Sequence, residues 1–223
     1  AQRIVEGHDF SLPQIFNNGV TIWDPITQQL TLENLLNNAE LANIIELAFA
    51  QGLTPFVNVI DQHQHYIYHA DTRHDVEKEL IDKYFSSSKA IVLPIDALPI
   101  NSQVTNISMI STEHVIKDMW LELNTHANLI AYAGPALEGK NSWWLDVHHG
   151  SANKGAAVTN LKKQLGASKV ICFGDGDNDL SMFALADESY APENAKVEIK
   201  ESATSVIGHN HKDGIARFLR ERF

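Results

Sequence analysis

The stretch KVICFGDGDNDLSMFALA, residues 169–186, constrains this chain more than any other. An apolar run ends at Phe173, Gly174 breaks it, and Asp175, Asp177 and Asp179 follow at alternate positions before a helical pattern begins. Strand, tight loop and helix in that order place three carboxylates at a strand tip, and in doubly wound sheets ligands gather beyond the carboxyl ends of the strands. Gly174 and Gly176 let the backbone turn sharply and approach a ligand. Three neighbouring carboxylates repel unless a cation or a hydrogen-bond network offsets the charge. Mg²⁺ suits such a cluster, because it takes a few carboxylate oxygens, keeps several waters and accepts substrate phosphate for the rest. A solvated turn, or a cap supplied by Asp177 or Asp179 to LSMFALA, is the plainer reading of such a run. Asn153-Lys154-Gly155, at the head of the preceding helix, tips the balance: Lys154 can reach the same strand tips, and the helix N-terminus adds partial positive charge.

The rest of the chain after Gly150 repeats this texture. KGAAVTNLKKQLG reads as a helix ending at Gly166, KVICF as a strand, LSMFALA as a helix, SYAPENA as a short strand and loop, and KDGIARFLRERF as a terminal helix. Such alternation predicts an α/β fold, a doubly wound, Rossmann-like parallel sheet. In LPQIFNNGVTIWD, two apolar runs break at Asn17-Asn18-Gly19, a composition that favours a turn with positive φ, and the first 24 residues are assigned to the edge of the same layer. Between them the pattern is denser. Residues 31–51 have helical spacing, with Thr31 and Asn34 as the expected cap and Gly52 as the stop. TPFVNVI and HYIYHA form an expected hairpin, DVEKELIDKYF a short helix, VTNISMIS a strand, STEHVIKDMWLELN a helix, and ANLIAYAG and SWWLDVHH two more strands. The predicted organisation is a discontinuous core, residues 1–24 and 148–223, with an α+β insertion over 25–147.

Charge and composition narrow the function. With 17 Lys and Arg against 28 Asp and Glu, and a formal charge of -11, the chain is not built for nucleic acid, which needs clustered cations. An anionic small substrate would need a local positive spot or a metal. No apolar run approaches the roughly 18 residues of a membrane span, and AQRIVEGHDF lacks the hydrophobic region of a secretion signal. One cysteine, Cys172, rules out an intrachain disulfide, and a cytoplasmic location is expected.

GDGDND, with an NKG-headed helix before it and a DGIA helix after it, resembles the haloacid dehalogenase superfamily, more narrowly its Cof-type phosphatases with a large α/β cap inserted in the core. FNNGVTIWD resembles the segment leading into the cap, and APENAKVEIKESATSVIG the sequence after the metal motif. The resemblance implies Mg²⁺-dependent hydrolysis of small phosphate monoesters through an aspartyl-phosphate. It implies that Asp175 binds the metal, that Asp179 supports it directly or through water, that Lys154 holds phosphate and nucleophile together, and that Asn178 contacts the phosphoryl group or orders the loop. Asp177 falls at a variable position. Asn18 and Gly19 would lie near the hinge. Sugar phosphates are the leading expected substrates, with nucleotides or pyridoxal phosphate behind.

The family's nucleophile belongs to an hhhhDxDGT segment, followed by a Ser/Thr motif, and neither occurs between Ala1 and Phe223. FVNVIDQH and IVLPIDAL each place one aspartate after an apolar run, without the second two residues on. The N-terminal part of the core is thus expected to be missing, supplied by an N-terminal segment or by another copy of the chain. A non-catalytic binding or interaction module of the same fold is the alternative. A transition-metal site on His63, His65 and His69 is the weaker reading, since turn histidines commonly lack ligands and no HExxH or Cys/His framework accompanies them. His148 and His149 are expected to be solvated, with substrate contact as the sharper option. Trp143 and Trp144 face opposite sides of a strand, and Cys172 is expected to be a buried hydrophobe.

Overall fold

The computed structural model describes residues 8–61, 64–85 and 89–223. In chain order its elements are β1 (Gln14–Phe16), β2 (Thr21–Asp24), β3 (Gln29–Leu32), α1 (Asn38–Ala50), β4 (Phe56–Asp61), β5 (Gln64–His69) and α2 (Asp75–Glu79). There follow β6 (Ile91–Pro94), β7 (Val104–Thr112), α3 (Glu113–Leu123), β8 (Leu129–Pro135), β9 (Ser142–His149) and α4 (Lys154–Leu165). The chain closes with β10 (Ile171–Phe173), α5 (Leu180–Phe183), β11 (Glu188–Pro192), α6 (Val197–Ser202), β12 (Ser205–Ile207) and α7 (Gly214–Arg222). Two units emerge, one of residues up to Gln29 with Asn153–Phe223, the other Leu30–Ala152. The boundaries expected at 24/25 and 147/148 therefore fall at 29/30 and 152/153, because β9 runs through His149 before the chain leaves its sheet.

In the first unit, β1 and β2 pair antiparallel around Asn17, Asn18 and Gly19, whose φ values of 52°, 52° and 101° are the positive ones the sequence asked for. Gly19 has a second reason: a Cβ there would lie 2.7 Å from the Asn153 carbonyl oxygen. Strands β10, β11 and β12 form a parallel sheet in that order, the arrangement expected of strands that alternate with helices. Cys172, Phe183, Ala191, Ala195 and Ile199 are its buried core. Helix α4 starts on Asn153, whose side chain accepts the Ala156 N–H, and stops at Gly166 in the left-handed region. LSMFALA yields one turn, α5, while α6 and β12 arise in a segment that carried no periodic signal. Arg222 anchors α7 by an ion pair with Glu188 at 2.5 Å and by lying over the rings of Tyr190 and Phe218.

The second unit is a six-stranded sheet ordered β6-β5-β4-β7-β9-β8, antiparallel except between β5 and β6. One face packs Val57, Ile107, Met109, Leu145 and Val147 against Ile44 and Ala48 of α1 and Ile116, Met119 and Leu123 of α3. Each Val, Ile, Leu or Met among them, fully buried, contributes about 1.5–3 kcal/mol. On the other face, Phe56, Ile67 and Ile110 meet Phe85 and the turn of helix around it. Helix α1 is shorter than expected and is capped by Asn37, which accepts the N–H groups of Ala39 and Glu40, while the Glu40 carboxylate accepts the Asn37 N–H at 3.0 Å. Thr31 lies in β3 and Asn34 adopts a positive φ, so neither can start the helix. Among the described residues, no helix is long and apolar enough to cross a membrane.

Candidate active site

The three aspartates after β10 take three different partners. Gly174 closes against Asp179 so tightly that a Cβ would sit 2.4 Å from the aspartate Cβ. Asp179 is therefore folded back under the loop, where its Oδ2 accepts the N–H groups of Asp175 and Gly176 at 2.9 and 3.0 Å. Its Oδ1 accepts the Lys154 ammonium at 2.6 Å, and only 6% of its side chain is exposed. A carboxylate so deep needs such partners, since an unpaired buried charge is costly. Lys154 owes its place to the first turn of α4, which Gly155 holds against α5: a Cβ on Gly155 would lie 2.3 Å from the Ser181 carbonyl oxygen, and its N–H donates to Ser181 Oγ.

Asp177 points elsewhere and pairs with Lys196 at 2.5 Å, on the exposed rim of the loop. Nothing in the sequence announced this pairing, because 19 residues and a strand separate the two. Asn178 donates to Asn18 Oδ1 at 2.9 Å, so it joins the β10 loop to the β1–β2 turn. Asp175 is exposed, and its carboxylate takes no hydrogen bond or ion pair from any described residue. Three carboxylates against the ammonium groups of Lys154 and Lys196 leave one net negative charge, and it sits on Asp175. Among the described residues no three metal-ligating side chains converge on one point. What the loop offers a cation is a single free carboxylate. Hard oxygen donors and a residual negative charge fit a hydrated divalent ion such as Mg²⁺.

The remaining candidates lie apart from this loop. Cys172 is buried in β10, and burial together with Asp179 pushes its thiol pKa up, as befits a hydrophobe. His65 hydrogen-bonds Asn58 Oδ1 at 3.0 Å, His69 the Ala70 carbonyl, and His63 lies outside the described residues. His148, expected to be solvated, is fully buried, because it points inward from a central strand; burial drives its pKa down. His149 Nδ1 accepts the Ser151 N–H, and its Nε2 lies 3.8 Å from Glu40. Trp143 packs on the main core beneath Lys117, while Trp144, on the opposite face, rests on Gly134.

A family model for haloacid dehalogenase-like hydrolases matches residues 1–219. A putative phosphatase of Haemophilus influenzae is 43% identical over 82 residues, 36% of this chain and 31% of that protein. The pyridoxal phosphate phosphatase YbhA of Escherichia coli is 32% identical over 146 residues, 60% of this chain and 53% of its own length. The matched stretches thus span between about a third and a half of these relatives. A solved haloacid dehalogenase-like hydrolase from Bacillus subtilis superposes with a TM-score of 0.78 at 19% identity, covering 100% of this chain and 83% of that one. The fold, the acidic loop after β10 and the family match agree: this chain belongs to the haloacid dehalogenase-like hydrolases.

Proposed function

We propose that the protein hydrolyses small phosphate monoesters with Mg²⁺, and that residues 154–179 are its metal- and phosphate-handling part. The observation that carries this reading is the fixed Lys154–Asp179 pair beneath a loop that turns one free carboxylate, Asp175, outward. Mg²⁺, when bound, neutralises charge on phosphoryl oxygens. Asp175 offers the cation its oxygen. Asp179, with both oxygens engaged, acts indirectly by holding the loop and orienting Lys154. The Lys154 ammonium keeps protons to donate beyond the one given to Asp179, and these meet a phosphoryl oxygen. Asn178 holds the loop to the β1–β2 turn. The names of the two relatives support phosphatase chemistry, and that of the Escherichia coli protein supports a phosphorylated pyridine as substrate, with a sugar phosphate of similar size as the other candidate. The single buried cysteine is in keeping with a reducing cytoplasm.

In this family the attacking group is the aspartate of the DxDGT segment, which forms the aspartyl-phosphate, so the share of residues 1–223 is to bind and neutralise. A module of the same fold that binds phosphate and Mg²⁺ without turnover is the second reading. Calorimetric titration of the 223-residue chain with Mg²⁺ and inorganic phosphate tests the shared part: Asp175→Asn should abolish Mg²⁺ binding and Lys154→Met phosphate binding. Hydrolysis of p-nitrophenyl phosphate and pyridoxal phosphate by the protein that carries these residues separates the two readings. Mg²⁺-dependent turnover lowered about 100-fold or more by Asp175→Asn is expected of the enzyme. Equal rates for variant and wild type would remove Asp175 from the chemistry.

A further inference from the structure

Two side chains of the second unit hold polar atoms that are closed off from solvent and meet no hydrogen-bond partner among the described residues, and both side chains line one cleft. The atoms are Glu40 Oε1 and His126 Nε2. Glu40 stands in the first turn of α1, where its Oε2 accepts the Asn37 N–H, and only 10% of its side chain is exposed. His149 Nε2 is 3.8 Å from Oε1, beyond hydrogen-bond reach. His126 follows α3 in a turn fixed by backbone hydrogen bonds, from its own N–H to Leu123 and from the Leu129 N–H to His126. Glu122 Oε1 is 3.9 Å from His126 Nε2, also too far to bond. Buried polar atoms are as a rule satisfied, so two orphans on one cleft call for a donor brought from outside.

The lining selects the kind of donor. Glu40 brings a full negative charge, and there is no Lys or Arg among the lining residues. The first turn of α1 sets about half a positive charge against it and the end of α3 about half a negative one, so the carboxylate prevails. An imidazole nitrogen without its proton accepts hydrogen bonds, as do the amide oxygens of Asn43 and Asn128, which also line the space. Acceptors and negative charge together favour a positive ion with several N–H groups. At about 270 Å³ the cleft falls below the roughly 300–1,000 Å³ of a drug-sized site, so it suits a ligand of few heavy atoms, with an alkyl stem against Ala39 and Leu129. The terminal torsions of glutamate and histidine are broad, and a small turn of either side chain brings its orphan atom to the cleft. We infer that this cleft binds a primary alkylammonium ion, the head of a small aliphatic amine, with Glu40 and His126 accepting from its N–H groups. Every lining residue belongs to the second unit, so the site does not rest on residues 154–179.

The test adds n-butylammonium chloride, to tens of millimolar as befits a weak ligand of few atoms, to the ¹⁵N-labelled full chain. Two controls run beside it: n-butanol, of the same length without the charge, and sodium chloride at the same ionic strength. n-Butylammonium should shift the amides of Glu40, Asn43, His126 and Asn128 with saturable dependence on concentration, and n-butanol should bind at least about tenfold more weakly. Glu40→Gln keeps an acceptor for the Asn37 N–H, since glutamine serves in the same capping box, and should weaken n-butylammonium binding about tenfold. No shift, as when water alone satisfies the two atoms, shifts centred elsewhere, shifts equalled by n-butanol or sodium chloride, or undiminished binding in a folded Glu40→Gln protein would each overturn the inference. The wild-type comparison of ammonium with alcohol decides by itself if the variant does not fold. The probes carry no phosphorus, so failure here leaves the phosphate reading standing, and failure of phosphate binding leaves this one.

Discussion

Asp179 in the first unit is buried and Asp146 in the second is partly buried, and the chain treats the two carboxylates in opposite ways. Asp179 is met by a full charge, the Lys154 ammonium, and by two backbone N–H groups, which together use both oxygens. Asp146 is met only by a hydroxyl and an amide on one oxygen, so its other oxygen stays available. The difference separates two uses of a carboxylate. A saturated one fixes a loop and a cation; a half-saturated one, held by neutral dipoles, is left with the capacity to bind something else.

Substitution with asparagine should expose this contrast most strongly at Asp179. Asp179→Asn leaves the Lys154 ammonium without its counter-charge and removes a loop anchor, and should cost the first unit about 3 kcal/mol in denaturant-induced unfolding. Asp146→Asn should cost under about 1 kcal/mol, since the amide oxygen still accepts from Ser108. If the two variants unfold alike, the contrast between saturated and half-saturated carboxylates is broken. Asp175→Asn sharpens it further: an exposed carboxylate without partners should change stability by no more than about 0.5 kcal/mol, measured the same way.

Acid offers a finer probe of the pairing in the first unit. Glu188 is held at a pKa of about 2 by hydrogen bonds from Lys169 and Tyr190, with Arg222 close by. Its folded pKa lies below the ordinary value of 4.5, so the stability it contributes is fully present above pH 4.5 and is lost as pH falls towards 2. In the second unit His148 titrates the other way round in chemical type but with the same direction. Burial lowers its pKa below 6.5, so the neutral form is the folded one and stability falls as pH drops below 6.5. Thermal unfolding followed across pH should show a loss that begins near 6.5 and is absent in His148→Gln, and a second, smaller loss below 4.5 that is absent in Glu188→Gln.

Much of the candidate site could be read from the chain because its geometry is local. Gly174 and Gly176 sit within the six residues that make the loop, and Asn153 and Lys154 sit at a helix start marked by its own cap. The helices and strands with clear periodicity, α3, α4, β4, β5, β7, β8 and β9, fall close to where their patterns lie. Less was visible where pattern and partner disagree. The helical spacing of residues 31–51 extends past the true start of α1, because Thr31 pairs in a strand and the Asn37–Glu40 box sets the first turn instead. Segment 193–207 lacks periodicity, so α6 and β12 could not be anticipated: β12 is held by its parallel neighbour rather than by its own composition.

The sequence by itself determined the acidic strand tip, the lysine at the head of α4 and the glycine-dependent turns, because each follows from a few consecutive residues and the conformations open to them. Only the folded chain decided that Asp177 would take Lys196, that Asn178 would reach Asn18 across 160 positions, that His148 would be buried, and that Asn58, Ser108 and Asp146 would join in one strip. Those partners are brought together by strand order and register, and a residue's alternation along one strand tells which face it occupies but not which side chains of other strands share that face.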